Sequence, residues 1–252
     1  MSMAIDESGP SKFESDMAKV RTRLQAAQHV FVVTGAGMSA ESGVPTFRGV
    51  GERWRDKHFT ELASPAAFQA DPREIWDWYL YRRQVVASCE PNIAHRRLAE
   101  WAQQREGVSL ATQNVDGLHE LAGHPDVLRL HGSLWHNRCT ACGLEREERS
   151  LAYPELPLSP CCQALERPAI VWFGEMLPGI PMVRAQLALR RADVLLVIGT
   201  SGEVSTVHHF VYDALMKYKA YVVDINPEDG LITSNIDLRD TAGRIIPALL
   251  AP

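Results

Sequence analysis

The sequence has no apolar run that approaches the roughly 20 residues of a membrane-spanning helix, so no helical membrane span is expected. The opening stretch MSMAIDESGPSKFES has no apolar centre like that of a secretion signal. Nor has it the Arg-rich, acid-poor character of an organellar transit peptide. It reads as a polar tail, and the protein is expected in the cytoplasm. There is no basic excess: 26 Lys and Arg face 31 Asp and Glu, for a net charge of -5. That argues against a broad basic face, and so against nucleic acid as the main partner. Cysteine is scarce and uneven, with four of five residues between Cys139 and Cys162. Such clustering without a secretion signal points to metal rather than disulfides. Internal repeats are also lacking, and a monomer is expected.

What is present is enough for one large α/β domain with a small satellite: 252 residues, 46% of them hydrophobic. Four short segments rich in Val, Ile and Leu read as buried parallel strands, at 29–37, 108–114, 193–201 and 220–226. Each ends in small or polar residues, and ligands sit beyond the carboxyl ends of such strands. Helical patterns lie between them: a helix with Ser15 as N-cap, one over 71–88 with Asp71 as cap and Pro72 at its first position, and others over 91–104 and 182–192. The expected fold is a Rossmann-like doubly wound parallel sheet, formed by about 15–48, 91–132 and 171–252. A small domain is inserted from about 49–90 (helical) and 133–170 (cysteine-containing, ribbon-like).

The stretch TGAGMSAESGVPTFRG, Thr34 to Gly49, begins as a dinucleotide-binding fingerprint with Gly35, Ala36, Gly37 and Ala40. The glycines are expected to let the backbone approach a pyrophosphate, with helix-start amides and the Ser39 hydroxyl nearby. One expected part is missing: no acid ends a second strand about 20 residues later, as a dehydrogenase requires. Instead Pro45 arrives early, and Phe47 and Arg48 are expected to fold back over the dinucleotide.

Further motifs follow in order: TQNVDGLH (112–119), LHGSLW (130–135), RPAIVWFGE (167–175) and GTS (199–201). With the glycine segment they resemble the sirtuin family of NAD-dependent protein lysine deacylases, from about Val30 to the C-terminus. The resemblance implies that Gly35 to Trp54 supplies the phosphate turn and cofactor loop. It implies that Gln113, Asn114 and Asp116 line the pocket for nicotinamide and its ribose, that Gly199, Thr200 and Ser201 meet the adenosine half, and that Asn226 and Ala242 complete that half. His131 is implied as general base, with Asn114 assisting. In the family reaction the acyl oxygen attacks the nicotinamide ribose and nicotinamide leaves. The base then helps the 2′-hydroxyl capture the acyl carbon, giving lysine and O-acyl-ADP-ribose. Val171, Trp172, Phe173 and Gly174 are implied as the edge that receives an acyl-lysine peptide or protein.

Tyr79 and Arg82 are three apart and share a helix face. Sirtuins that remove succinyl, malonyl and glutaryl groups carry such a pair, and Ala63 matches the small residue that widens their pocket. A guanidinium fork and a phenol suit a terminal carboxylate. Acetyl-lysine remains an expected substrate as well. Mono-ADP-ribosyl transfer, or NAD binding without turnover, stay open as alternatives. Cys139 and Cys142 have the spacing of a structural zinc site. The family's second pair is here Cys161-Cys162, with no spacer, and neighbouring side chains tend to point apart. Four-cysteine zinc binding, a set using His136 in place of one cysteine, and a metal-free insertion are therefore all open.

Overall fold

The computed structural model describes residues 11–45, 53–54 (main chain), 57–202 and 205–251. The chain runs α1 (Lys12–Ala26), β1 (Val30–Thr34), α2 (Gly37–Ala40), the two-residue strands β2 (Arg53–Trp54) and β3 (Lys57–His58), α3 (Phe59–Leu62), α4 (Pro65–Ala70), α5 (Pro72–Ala87) and α6 (Ile93–Gln104). It continues through β4 (Val108–Thr112), α7 (Leu118–Leu121), β5 (Val127–Arg129), β6 (Gly132–Cys139), β7 (Glu145–Glu147), β8 (Glu166–Ile170) and α8 (Gly179–Arg191). Last come β9 (Val194–Ile198), α9 (Ser205–Tyr212) with a π-helical turn over Asp213–Tyr218, β10 (Tyr221–Ile225), β11 (Ile236–Leu238) and α10 (Ala242–Leu249).

Six strands form one parallel sheet in the order β11-β10-β9-β1-β4-β5. Alternate residues of β1 face opposite layers, as strand geometry requires. Val30 and Val32 pack with Met17, Leu24, Leu98 and Ile246 from α1, α6 and α10. Phe31 and Val33 pack with Leu189, Val207 and Phe210 from α8 and α9. Every residue of β1 and β9 is buried, which explains why they are apolar throughout except for Thr34 at the end of β1. Each fully buried Val, Leu, Ile or Phe contributes about 1.5–3 kcal/mol. A second assembly, the antiparallel sheet β7-β6-β8, packs with α5 around Trp76, Tyr79 and Trp172.

Two sequence expectations change. The first helix starts at Lys12, because Ser11 rather than Ser15 caps it: the Ser11 hydroxyl accepts from Glu14 N while Ser11 N donates to the Glu14 carboxylate. The sheet also has two strands beyond the four expected, β5 and β11, each of three residues.

Candidate active site

The chain runs from β1 outward to β4 and β5, then returns to the other side of β1 for β9, β10 and β11. This reversal opens a crevice at the carboxyl end of β1, between β4 and β9. The turns that follow these strands carry the residues expected to bind the cofactor.

Gly35 and Gly37 serve a contact that the fingerprint did not reveal. A Cβ on Gly35 would meet Gly199 O and Thr200 Cβ at 2.8 Å, and one on Gly37 would meet Gly199 Cα at 2.8 Å. Gly199 itself has φ 62°, and a Cβ there would lie 2.4 Å from Met38 N. The glycines therefore let two strand-end turns close on each other. The helix-start amides differ from expectation too. Gly37 N donates to Gly199 O (2.8 Å), Met38 N to Gly35 O (3.0 Å) and Ser39 N to Ala36 O (3.0 Å). Within a single-turn helix these groups are used in building the turn. Ala36 is half-buried and Ala40 exposed. Phe47 and Arg48 lie outside the described residues, as does the side chain of Trp54, whose main chain pairs with Lys57.

The polar groups after β4 converge on that turn. Asn114 Nδ2 donates to Gly35 O (2.9 Å) and to Ser39 Oγ (3.2 Å). Ser39 Oγ in turn donates to Asp116 Oδ2 (2.8 Å), and Leu118 N donates to Asp116 Oδ1 (2.9 Å). Burial pushes the Asp116 carboxyl up, and the bonds from Leu118 and Ser39 oppose that shift. Gln113 Nε2 donates to Thr200 Oγ1 (3.2 Å), while buried Gln113 Oε1 has no partner. That orphaned acceptor, in a crevice of hydroxyls and amides, fits a polar ligand such as NAD.

His131 follows β5, and its Nδ1 lies 3.1 Å from Gln113 O. A carbonyl can only accept, so Nδ1 carries the proton and Nε2 keeps its lone pair. On the far side, Asn226 Nδ2 donates to Thr200 O (3.1 Å), and Ser201 O accepts from Leu231 N (3.2 Å). Ala242 is buried in the core cluster at the start of α10.

Two histidines that the sequence did not mark stand against this site. His95 Nε2 is 3.4 Å from Ser39 Oγ, and His119 Nε2 is 3.0 Å from Thr34 Oγ1. Their rings are 4.8 Å apart, and both are buried. His95 belongs to the first turn of α6, where nothing local distinguishes it from a core residue.

Of the residues expected to read the acyl group, Tyr79 joins Ala63 and Trp172 in one buried apolar cluster, and the half-buried Arg82 lies beside it. Tyr79 is 1% exposed, and the Arg82 guanidinium lies 5.3 Å from the Tyr79 ring centre and 5.1 Å from that of Trp78. Trp172 is turned inward and donates from Nε1 to Tyr79 Oη (2.8 Å). Phe173 is exposed, and Gly174 turns the chain at φ 84°. Three amides of this segment are engaged: Val171 N with His131 O (3.0 Å), Trp172 N with Glu175 (2.8 Å) and Phe173 N with Ala63 O (3.0 Å). A peptide laid here would meet carbonyl oxygens rather than these three amides.

The adjacent cysteines do converge. Ser159 N bonds Ala164 O, Gln163 N bonds Ser159 O, and Gln163 adopts φ 59°, so a tight turn brings both thiols to one side. The Sγ atoms of Cys139, Cys142, Cys161 and Cys162 lie within 4.8 Å of one another. A tetrahedron with zinc–sulfur bonds of about 2.3 Å separates its sulfurs by about 3.8 Å, so the four fit a structural zinc ion. His136 sits on β6 opposite Glu147 and is not part of the cluster.

The Sir2 family model matches residues 35–206. The NAD-dependent protein deacylase 1 of Archaeoglobus fulgidus is 41% identical over 237 residues, covering 92% of this chain and 96% of that protein. A crystal structure of a Sir2 homolog–NAD complex matches with a TM-score of 0.87 at 39% identity, covering 92% of each chain. A Sir2 homologue bound to 2′-O-acetyl ADP ribose gives a TM-score of 0.85 at 38% identity, covering 94% of each chain. With the family model over most of the chain and relatives near 40% identity over nearly its whole length, the chain belongs to the Sir2 family.

Proposed function

We propose that this chain, an NAD-dependent protein deacylase of the Sir2 family, prefers lysines that carry short dicarboxylic acyl groups, succinyl and malonyl, and also accepts acetyl-lysine. The observation that carries the preference is the placement of Tyr79 and Arg82 side by side on α5, with Tyr79 in the cluster that holds Ala63 and Trp172. A phenol and a guanidinium side by side offer two donors to a terminal carboxylate. Burial pushes the Tyr79 phenol up, which keeps it a proton donor at neutral pH.

NAD supplies an electrophilic ribose carbon and a diol. His131, its Nδ1 proton committed to Gln113 O, holds Nε2 ready to take a proton from a ribose hydroxyl. Asn114 and Ser39 orient groups at the phosphate turn, and Asp116, an acceptor that already takes the Ser39 hydroxyl, is read as the partner of the nicotinamide carboxamide. Residues 171–174 are read as the place of the acyl-lysine peptide, close to His131 through the Val171 N bond to His131 O. The cysteine cluster has a structural role, since its four thiols complete a tetrahedron with no open position.

The test is incubation with NAD and peptides that differ only in acetyl-, succinyl- or malonyl-lysine, with products read by mass spectrometry. A charge-assisted bond of about 1.5–3 kcal/mol predicts succinyl over acetyl by about 10- to 150-fold in kcat/KM. O-succinyl-ADP-ribose is the expected product. Equal rates on all three peptides remove the dicarboxylic reading, and ADP-ribose attached to protein redirects the chemistry to mono-ADP-ribosyl transfer.

A further inference from the structure

We infer that Trp172 is a positioning residue for acyl selection, which aims the Tyr79 hydroxyl at the acid end of the acyl group; this rests on the dicarboxylic reading above. The argument starts from donor and acceptor inventories. An indole Nε1 is a donor only, and a phenol oxygen has one proton to give and two lone pairs to receive. Trp172 Nε1 lies 2.8 Å from Tyr79 Oη, so the phenol accepts on that side. Its own proton must then point elsewhere. A phenol that accepts one bond also becomes a stronger donor in the next.

The indole is itself held in place. The Arg167 guanidinium carbon lies 3.4 Å from the Trp172 ring centre. Arg167 is fixed by two bonds to the Glu175 carboxylate, from Nη1 and from Nη2 (2.9 Å). The same carboxylate accepts from Trp172 N at 2.8 Å, and Phe68 packs at 5.3 Å between ring centres. One acid thus clamps both the cation above the ring and the backbone beneath it. The Trp172 Nε1–H···O bond couples the 167–175 segment to α5. A tryptophan that only filled space would need its ring and not its nitrogen, and the two roles separate on that point.

The experiment compares wild type, Trp172→Phe, Tyr79→Phe, the double variant and Arg82→Met as full-length zinc-loaded proteins, with NAD and matched succinyl- and acetyl-lysine peptides. Loss of one hydrogen bond of about 1–1.5 kcal/mol should lower the succinyl-to-acetyl ratio of kcat/KM by about 5- to 12-fold in Trp172→Phe. The loss should appear mainly in the succinyl KM. The double variant should match Tyr79→Phe within about twofold, because the two residues act through one hydroxyl. An unchanged ratio in Trp172→Phe, or losses that multiply in the double variant, overturns the assignment. So does an unchanged ratio in Tyr79→Phe, a reading that does not depend on how well the Trp172 variant folds. If Arg82→Met erases the preference while Trp172→Phe keeps it, the Trp172 role alone fails. If wild type shows no preference for Arg82→Met to erase, the dicarboxylic reading fails and takes this inference with it.

Discussion

A main-chain carbonyl sets the protonation geometry of His131. Gln113 O can take only the Nδ1 proton, so the basic nitrogen is Nε2 whenever the ring is neutral. A tyrosine in its place fills much of the same space without a base that functions near neutral pH. His131→Tyr is expected to lower kcat by about 100-fold or more, the usual contribution of a general base. NAD affinity by calorimetry should stay within a few-fold. A parallel loss of NAD binding would make the residue part of the cofactor's support instead. At this scale the sequence was informative where a motif fixed a role and silent where a role depended on partners distant in the chain. Strand-end motifs mark Asn114, Asp116 and His131 as candidates, and their hydrogen bonds place them around the turns after β1 and β4. His95 and His119 were not marked, because the hydroxyls they face, Ser39 and Thr34, belong to other elements. The fingerprint marks the glycines but not this further contact: their missing Cβ atoms make room for the turn after β9.

The helix α5 shows how one element serves two purposes through adjacent residues. Tyr79 is buried in the apolar cluster with Ala63 and Trp172 and lies beside Arg82, while Arg83 is fully buried on another side. Arg83 donates to Leu134 O (2.7 Å), Ser150 O (3.1 Å), Tyr153 Oη (3.2 Å) and Asn137 Oδ1 (2.8 Å), tying α5 to β6 and the 150–153 loop. Arg83→Met would leave several buried acceptors without a donor, a loss of about 3 kcal/mol or more. At about 2–4 °C per kcal/mol for a chain of this size, thermal denaturation should show Tm lower by roughly 6–12 °C. A shift under about 2 °C would mean that these acceptors find other donors. The adjacent cysteines pose the same question for a turn. If the bend at Gln163 brings Cys161 into the ligand set, Cys161→Ser should lower both bound zinc by elemental analysis and Tm. NAD affinity should persist, since the crevice at the end of β1 draws no residue from the turn. Element boundaries were legible where a cap or a long apolar run fixed them, as at Asp71-Pro72 and in β1 and β9. They were missed in β5 and β11, because three residues carry too little periodicity to register. In those strands pairing with β4 and β10 decides the conformation.

For the whole molecule, the buried imidazoles determine how folding responds to acid. Burial, aided by Arg96, lowers His95 from its ordinary 6.5 to about 4. His119 is held well below 6.5 by burial and by its neighbours His95 and His124, and His124 is also lowered, chiefly by burial. The unfolded chain takes up these protons near 6.5, while the folded chain refuses them until lower pH. Between those limits the unfolded state binds more protons, so stability rises with pH and is complete above about 6.5. For His95 alone the loss on going from pH 7 to pH 5 is about 2 kcal/mol. Asp116 and Asp224 act in the opposite direction. Burial raises both above 3.8, so the stability they contribute is fully present below 3.8 and is lost as pH rises through their folded-state values. Thermal denaturation between pH 5 and 7 should therefore show Tm falling steadily with acid, at unchanged zinc content. His95→Asn removes one of the protons taken up on unfolding and should flatten that slope. A variant whose Tm declines as steeply as wild type would place the acid sensitivity elsewhere, in the other buried imidazoles His119 and His124, and not in the carboxylates that pair with arginine, such as Glu148 and Glu175. Both of these are lowered from 4.5, Glu148 to about 2, so their stabilising ionised forms are lost only below about 4.5, outside the window measured.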